Sequence, residues 1–265
     1  MKNVLLLVHD DQGQEARLQT ALDLTRALNG HLTCVDVTQI PMIVGDGYAT
    51  FGDSLLIADE REREENNKTV VERRLGQEGV AWNWIDDAGT IEACILDAAN
   101  LADLIVLNRK LDGYPYPDMH HITSTLLMKA GKPVVAVPET LKQFAVDRVM
   151  IAWDGQGAVA STLRACIPLL KLATYVHVFT VHDGAQTTEV EDAAQYLSRH
   201  DIHPTVRIVH DGLNQPDQLI AEEAERLAID YVIMGAYSQG RLRETFGGVT
   251  KRMLARSKLP LVLGH

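Results

Sequence analysis

Aromatic residues are scarce in this 265-residue chain, at 5%, and cysteine is scarcer still, with three. Cys34, Cys94 and Cys166 are an odd number at wide spacing, each in apolar surroundings. That excludes a disulfide framework and predicts reduced core thiols in a cytoplasmic protein. No apolar run approaches the ~20 residues of a membrane span. The start, MKNVLLLVHDD, has five apolar residues before His9-Asp10-Asp11. It reads as a buried strand and not as a secretory signal. A basic excess is missing too: 25 Lys and Arg stand against 36 Asp and Glu, a net charge of −11. Nucleic acid is therefore not an expected partner of the whole molecule. Catalytic signatures are equally absent. The ten histidines are scattered, without HExxH or a Cys/His pairing at ligand spacing, and there is no GxSxG nucleophile elbow. GxGxxG after a strand is absent, and GxxxxGK[ST] fails because Arg241-Leu242 follow Gly240. No catalytic residue and no metal ligand is assigned.

With 46% apolar and 23% charged residues, the chain is an ordinary globular one. Its length suits one large domain or two small ones, with ample core. Internal repetition decides for two. Val4-Leu-Leu-Leu-Val8-His9-Asp10 is echoed 144 residues on by Arg148-Val-Met-Ile-Ala152-Trp153-Asp154. Asp103-Leu-Ile-Val-Leu107 is echoed 127 residues on by Asp230-Tyr-Val-Ile-Met234, and Lys132-Pro133 by Leu259-Pro260. The first copy thus carries about 17 extra residues (144 − 127), placed in Thr38 to Ile57. The boundary falls near Pro138–Lys142, giving units 1–140 and 141–265. In the second unit, strands are predicted at 148–153, 174–181, 203–209, 230–234 and 259–263, and helices at 157–172, 188–199, 216–228 and 247–257. The charged stretch 60–76 reads as a long helix with a solvated face. Strand–helix alternation with nearly all-apolar strands predicts two doubly wound parallel-sheet α/β domains of Rossmann-like type in tandem.

Ligands of open α/β sheets sit beyond the carboxyl ends of the strands. The richest such stretch follows strand 230–234: Gly235-Ala-Tyr-Ser238-Gln-Gly240-Arg241-Leu-Arg243-Glu-Thr-Phe-Gly247-Gly248-Val249-Thr250. Glycines allow close backbone approach to an anion, and Gly247-Gly248 open a helix whose free N–H groups favour one. Residues 235–258 hold six basic side chains and one acid, Glu244. A phosphate or nucleotide site is the functional reading; a solvated structural loop is the alternative.

These residues carry a family resemblance. VMIAWDG (149–155) and GAYSQGRLRETFGGVT (235–250) resemble the universal stress proteins of the UspA-like family, and the resemblance runs through both halves. It implies an adenine nucleotide, ATP with Mg²⁺ being the expected form, in the second unit. Asp154 would stand near the adenine, with Val181 lining it. Gly235 and Gly240 would shape the loop, with Gly247, Gly248, Val249 and Thr250 at the phosphates, and Ala152, Trp153, Ser238 and Arg241 as further cofactor-binding candidates. The family pattern Gly-x2-Gly-x9-Gly-[Ser/Thr] is altered here: Ser238 replaces the second glycine, and eight residues separate it from Gly247. In the first copy Asn108 and Arg109 replace Gly-Ala, His120-His121 replace Gly247-Gly248, and Tyr114-Pro-Tyr-Pro117 fills the middle. That implies a degenerate site. The implied function is a stress-response or signalling module; the alternatives are a nucleotide-free interaction scaffold and a weak ATPase. A receiver-type phosphoacceptor is disfavoured, because Lys132 precedes its strand. A metal at Asp10, Asp11, Asp86 and Asp87 competes with plain exposed turn acids, and His9 reads as a strand-end polar residue. The apolar edge strands 133–137 and 259–263 predict an intramolecular pseudo-dimer, with a homodimer as a further option and an unknown protein as downstream partner.

Overall fold

The structure, a computed structural model, describes residues 1–39, 42–45, 48–51, 54–111, 117–181, 189–210, 214–236 and 248–265, with 42–57 described by backbone alone. The chain opens with β1 (Asn3–Val8), α1 (Gln14–Ala27) and β2 (His31–Gln39). A separate antiparallel hairpin follows, β3 (Met42–Gly45) and β4 (Tyr48–Phe51). It lies inside the extra segment expected at 38–57. Next come α2 (Ser54–Leu75), β5 (Ala81–Gly89), α3 (Ile91–Ala98), β6 (Leu104–Asn108), α4 (Met119–Lys129) and β7 (Val134–Val137). The remainder runs β8 (Arg148–Ala152), α5 (Gly157–Ala165), α6 (Ile167–Leu170), β9 (Tyr175–Val181), α7 (Val190–Ser198), β10 (Thr205–Val209), α8 (Pro216–Arg226), β11 (Tyr231–Gly235), α9 (Gly248–Arg256) and β12 (Leu261–Gly264).

One expected helix, 157–172, is two. Pro168 lacks the N–H that would reach the Arg164 carbonyl, and its ring crowds that turn, so α5 stops at Ala165 and α6 restarts at Ile167. The charged helix also departs from expectation. Its face is not wholly solvated, since Glu64 and Asn67 are buried.

Ten strands form one sheet in the order β10-β9-β8-β11-β12-β7-β6-β1-β2-β5. Every pair is parallel except β12 with β7, where Leu261, Val262 and Leu263 face Ala136, Val135 and Val134. Alternate side chains feed two apolar layers. Val4, Leu6, Val135, Val149, Ile151 and Val262 belong to one face; Leu5, Leu7, Val134, Met150, Leu261 and Leu263 belong to the other. Both layers therefore pass through the β7–β12 junction. The segment before β8 adds a further tie. Phe144 donates its backbone N–H to Asp23 at 2.9 Å and packs on Tyr231 with ring centroids 5.2 Å apart.

Strand register revises the repeat. Val4 faces Leu104, Val149 faces Tyr231, and Leu104 and Tyr231 are the partners at offset 127. The structural offset of β1 and β8 is therefore 145 (149 − 4), not 144. Asp154 stands where the first copy has His9, and Gly155 where it has Asp10. A one-residue slip in a strand turns every side chain to the other face, so the buried layers select 145.

Candidate functional site

The chain leaves β8 toward β9 on one side and arrives at β11 on the other, so the carboxyl ends of β8 and β11 form a switch point. The first half has the same switch point between β1 and β6. The two points are lined very differently.

At the β8 end, the ladder runs one residue past Ala152: the Trp153 N–H donates to the Phe179 carbonyl at 2.8 Å. Trp153 is buried, and the backbone then turns at Asp154. The Asp154 carboxylate is exposed and accepts from the Gln156 N–H at 3.0 Å. Gly155 takes φ +72°, which glycine adopts without strain, and α5 follows. Val181 closes β9, half-buried. At the β11 end, Gly235 packs so tightly on α5 that a Cβ would lie 2.6 Å from the Val159 backbone nitrogen. Glycine is needed there for close strand–helix packing.

Gly248 opens α9 and is exposed; Val249 is half-buried and Thr250 buried. The Thr250 hydroxyl donates to the Gly235 carbonyl at 3.3 Å. Its repeat partner Thr123 does the same to the Asn108 carbonyl at 2.8 Å. This threonine pins the helix start to the strand end in both halves. The site thus brings together Ala152, Trp153, Asp154 and Val181 on adjacent strand ends, and Gly235 with Gly248, Val249 and Thr250 across one hydrogen bond. Ser238, Gly240, Arg241 and Gly247 lie outside the described residues. In α9, Arg252 donates to Asp217 of α8 at 2.6 Å.

The first-half switch point is filled by its own side chains. Asn108 occupies the place of Gly235, and a Cβ on Gly13 would lie 2.2 Å from its Oδ1. Arg17, fully buried, reaches in from α1. Its guanidinium donates to the Leu7 carbonyl at 3.2 Å, the His9 carbonyl at 3.0 Å and both Asp11 carboxylate oxygens at 2.8 and 2.9 Å. It also donates to the Asn108 side-chain oxygen. Sequence reasoning missed Arg17. The available signal was its place in the apolar stripe with Ala21 and Leu24, both fully buried. Beyond this plug, His120 is half-buried and its pKa is lowered by burial, while the adjacent His121 is exposed. The loop 112–116, including Tyr114 to Tyr116, lies outside the described residues.

Beside the plug, under α2, stands a second polar cluster. His9 Nδ1 is 2.8 Å from Glu64 Oε1, with both side chains buried. Burial works to raise the Glu64 pKa, but the close contact and charge of His9, with the Asp10 amide and Asn67, hold it below the usual range. Asp36, buried on β2, has its pKa pushed up to about 7 by burial and by the neighbouring Glu64 carboxylate. The acids Asp10, Asp11, Asp86 and Asp87 are not brought together as a group. Asp11 is held by Arg17, and Asp86 by Lys68 at 2.6 Å. All three cysteines are free and buried, and burial pushes each thiol up to about 12. Among the described residues, no helix is long and apolar enough to cross a membrane.

Comparison with known proteins bears on the fold. A universal stress protein from Archaeoglobus fulgidus DSM 4304 superposes with a TM-score of 0.78 at 16% identity, covering 99% of this chain and 97% of that one. A functionally unknown protein from Pseudomonas aeruginosa PAO1 gives 0.61 at 16% identity, covering 100% and 92%. A protein assigned as a universal stress protein from Pseudomonas aeruginosa UCBPP-PA14 gives 0.60 at 14%, covering 100% and 93%. No family model matches the chain, and no curated protein does. The fold defines the class: a Rossmann-type α/β sheet of the kind seen in universal stress protein structures, here over the whole chain.

Proposed function

We propose that residues 141–265 bind an adenine nucleotide, ATP with Mg²⁺ being the expected form, and that the chain is a universal stress protein-like signalling module and not an enzyme. The observation that carries this is the contrast between two equivalent switch points. At β8/β11 the strand and helix ends carry Gly235 and the exposed Gly248, beside an exposed Asp154; at β1/β6 Asn108 stands in the place of Gly235 and the buried Arg17 donates to it. The exposed Gly248 at the N-terminus of the nine-residue α9 suits an anion. Asp154, an acceptor at the end of β8, suits an adenine amino group. Thr250 holds α9 against Gly235, which positions that N-terminus. In this reading 1–140 is the closed copy, the β7–β12 pairing makes an intramolecular pseudo-dimer, and three buried free thiols suit a reducing cytoplasm.

Mass spectrometry of small molecules released on denaturing the purified protein tests the reading. Adenine nucleotide near one equivalent is the expected result. Nothing released, together with no calorimetric response to ATP, overturns it in favour of a nucleotide-free scaffold. Asp154→Ala should weaken ATP binding; GTP competing as well as ATP would remove the role given to Asp154.

A further inference from the structure

We propose that the first half holds a divalent transition-metal cation, of the zinc type, between β1, β2 and α2, with His9, Glu60 and Glu64 as ligands and the buried Asp36 beside Glu64 as a supporting acid. Glu60 and Glu64 are four residues apart on α2 and so share a face. His9 follows β1 directly, and Asp36 on β2 sits beside Val8 in the strand register. One ligand atom from each of His9, Glu60 and Glu64 lies within 4.8 Å of the others, the span a single ion bridges.

An independent observation points the same way. Asp36 is about 95% buried (5% exposed), and its Oδ1 has no hydrogen-bond partner. His9 Nδ1, also buried, makes no well-directed hydrogen bond although Glu64 is 2.8 Å away. Buried polar atoms normally find partners, and an orphaned carboxylate oxygen beside a second buried carboxylate is costly without a cation. The surroundings are those of a supported site. His9 Nε2 is 3.5 Å from the Gln39 side-chain amide, so Nδ1 is left to face the acids. The remaining Glu64 oxygen accepts from Asn67 at 3.2 Å, and Asn67 and Gln14 bond each other at 2.6 and 2.8 Å. Such partners orient ligands. One imidazole with two carboxylates suits zinc or its neighbours better than magnesium, which prefers oxygen and water alone. The cation nearest the cluster is Arg63, 3.6 Å from Glu64, 2.8 Å from Glu60 and 3.8 Å from Asp10. Its side chain is 47% exposed, so it can swing into solvent when a dication enters.

The test is Zn²⁺ titrated into chelator-stripped full-length protein, read by competition with a chromophoric chelator, with Co²⁺ absorption reporting four-coordination. One equivalent is expected. His9→Ala and Glu64→Gln should each weaken uptake by at least about 100-fold, the upper end of what second-shell losses alone cause. Asp36→Asn should weaken it by at least about tenfold, within that same range. Arg63→Met should tighten binding, because it removes the competing cation; a merely structural cluster would not give this. Circular dichroism checks that each variant folds, and Zn²⁺ should raise the melting temperature of the wild type but not of Glu64→Gln. Uptake absent in the wild type, or unchanged in both His9→Ala and Glu64→Gln, overturns the proposal. Adenine nucleotide binding at the other switch point is read separately, so failure of one reading leaves the other standing.

Discussion

Replacing Arg17 by methionine probes why the first switch point is closed. Methionine keeps most of the stem volume but removes the guanidinium that links Leu7, His9, Asp11 and Asn108. The Arg17 side chain is fully buried, and the Asp11 side chain is only 7% exposed. The substitution therefore leaves a carboxylate without its partner in a site from which water is largely excluded. Breaking a buried ion pair by removing one partner costs about 3–5 kcal/mol. At about 2–4 °C per kcal/mol for a protein of this size range, the melting temperature should fall by roughly 6–20 °C. Urea denaturation gives the free energy. Trp82 and Trp84 on β5 report the first half and Trp153 the second, with circular dichroism covering the whole. The double variant Arg17→Met/Asp11→Asn should recover part of the loss, because no buried charge is then left alone. A loss below about 1 kcal/mol in the single variant, the range of an exposed pair, would mean that Arg17 is solvated and does not fill the site.

The remaining predictions concern the struts around the two sites. Thr250→Val and Thr123→Val each strip the hydroxyl from a strand-end carbonyl and should each cost about 1–3 kcal/mol in denaturation midpoints. Arg109 donates to the Leu254 and Ala255 carbonyls at 2.9 and 3.0 Å, tying the first half to the end of α9. Arg109→Ala should cost about 1–2 kcal/mol and speed amide exchange in α9. Buried His177 has its pKa lowered chiefly by burial, against the pull of Glu223 at 3.1 Å, with Arg207 and Arg226 opposing protonation. A depressed histidine means the unfolded chain binds more protons, so stability is lost as pH falls through the ordinary histidine range, about 6.5, and below. His177→Phe should flatten that part of the melting-temperature profile; an unchanged slope would contradict it.

Strand–helix alternation was legible because strands such as Val4–Val8 are apolar on both faces, and only a covered parallel sheet supplies that environment. The repeat was legible to within one residue. Pattern matching aligned Asp10 with Asp154, whereas pairing to β6 and β11 aligns His9 with it. Two features escaped because they depend on what approaches from elsewhere in the chain. Arg17 reads as one more helical arginine until Asn108, 91 residues away, gives it a buried acceptor. Glu64 lies in a run of charges that looks solvated until His9 and Asp36 are folded against it. Thr250 was legible as a hydroxyl at the right place, while its hydrogen bond to Gly235 needed the strand end to be located. The loop residues Ser238, Gly240, Arg241 and Gly247 rest on the sequence pattern.

The central claim, one open and one closed copy, is tested most directly by calorimetric titration of ATP and Mg²⁺ into the full chain and into Gly248→Val. Among the described residues, the three atoms nearest a Cβ at Gly248 all belong to the Arg252 guanidinium, Nη1 at 2.8 Å, a flexible end that can move. This variant should fold, unlike a substitution at Gly235, which would strike the α5 backbone. The account predicts one ATP per wild-type chain and none for folded Gly248→Val. Two equivalents in the wild type, or one retained at unchanged affinity in Gly248→Val, would contradict it.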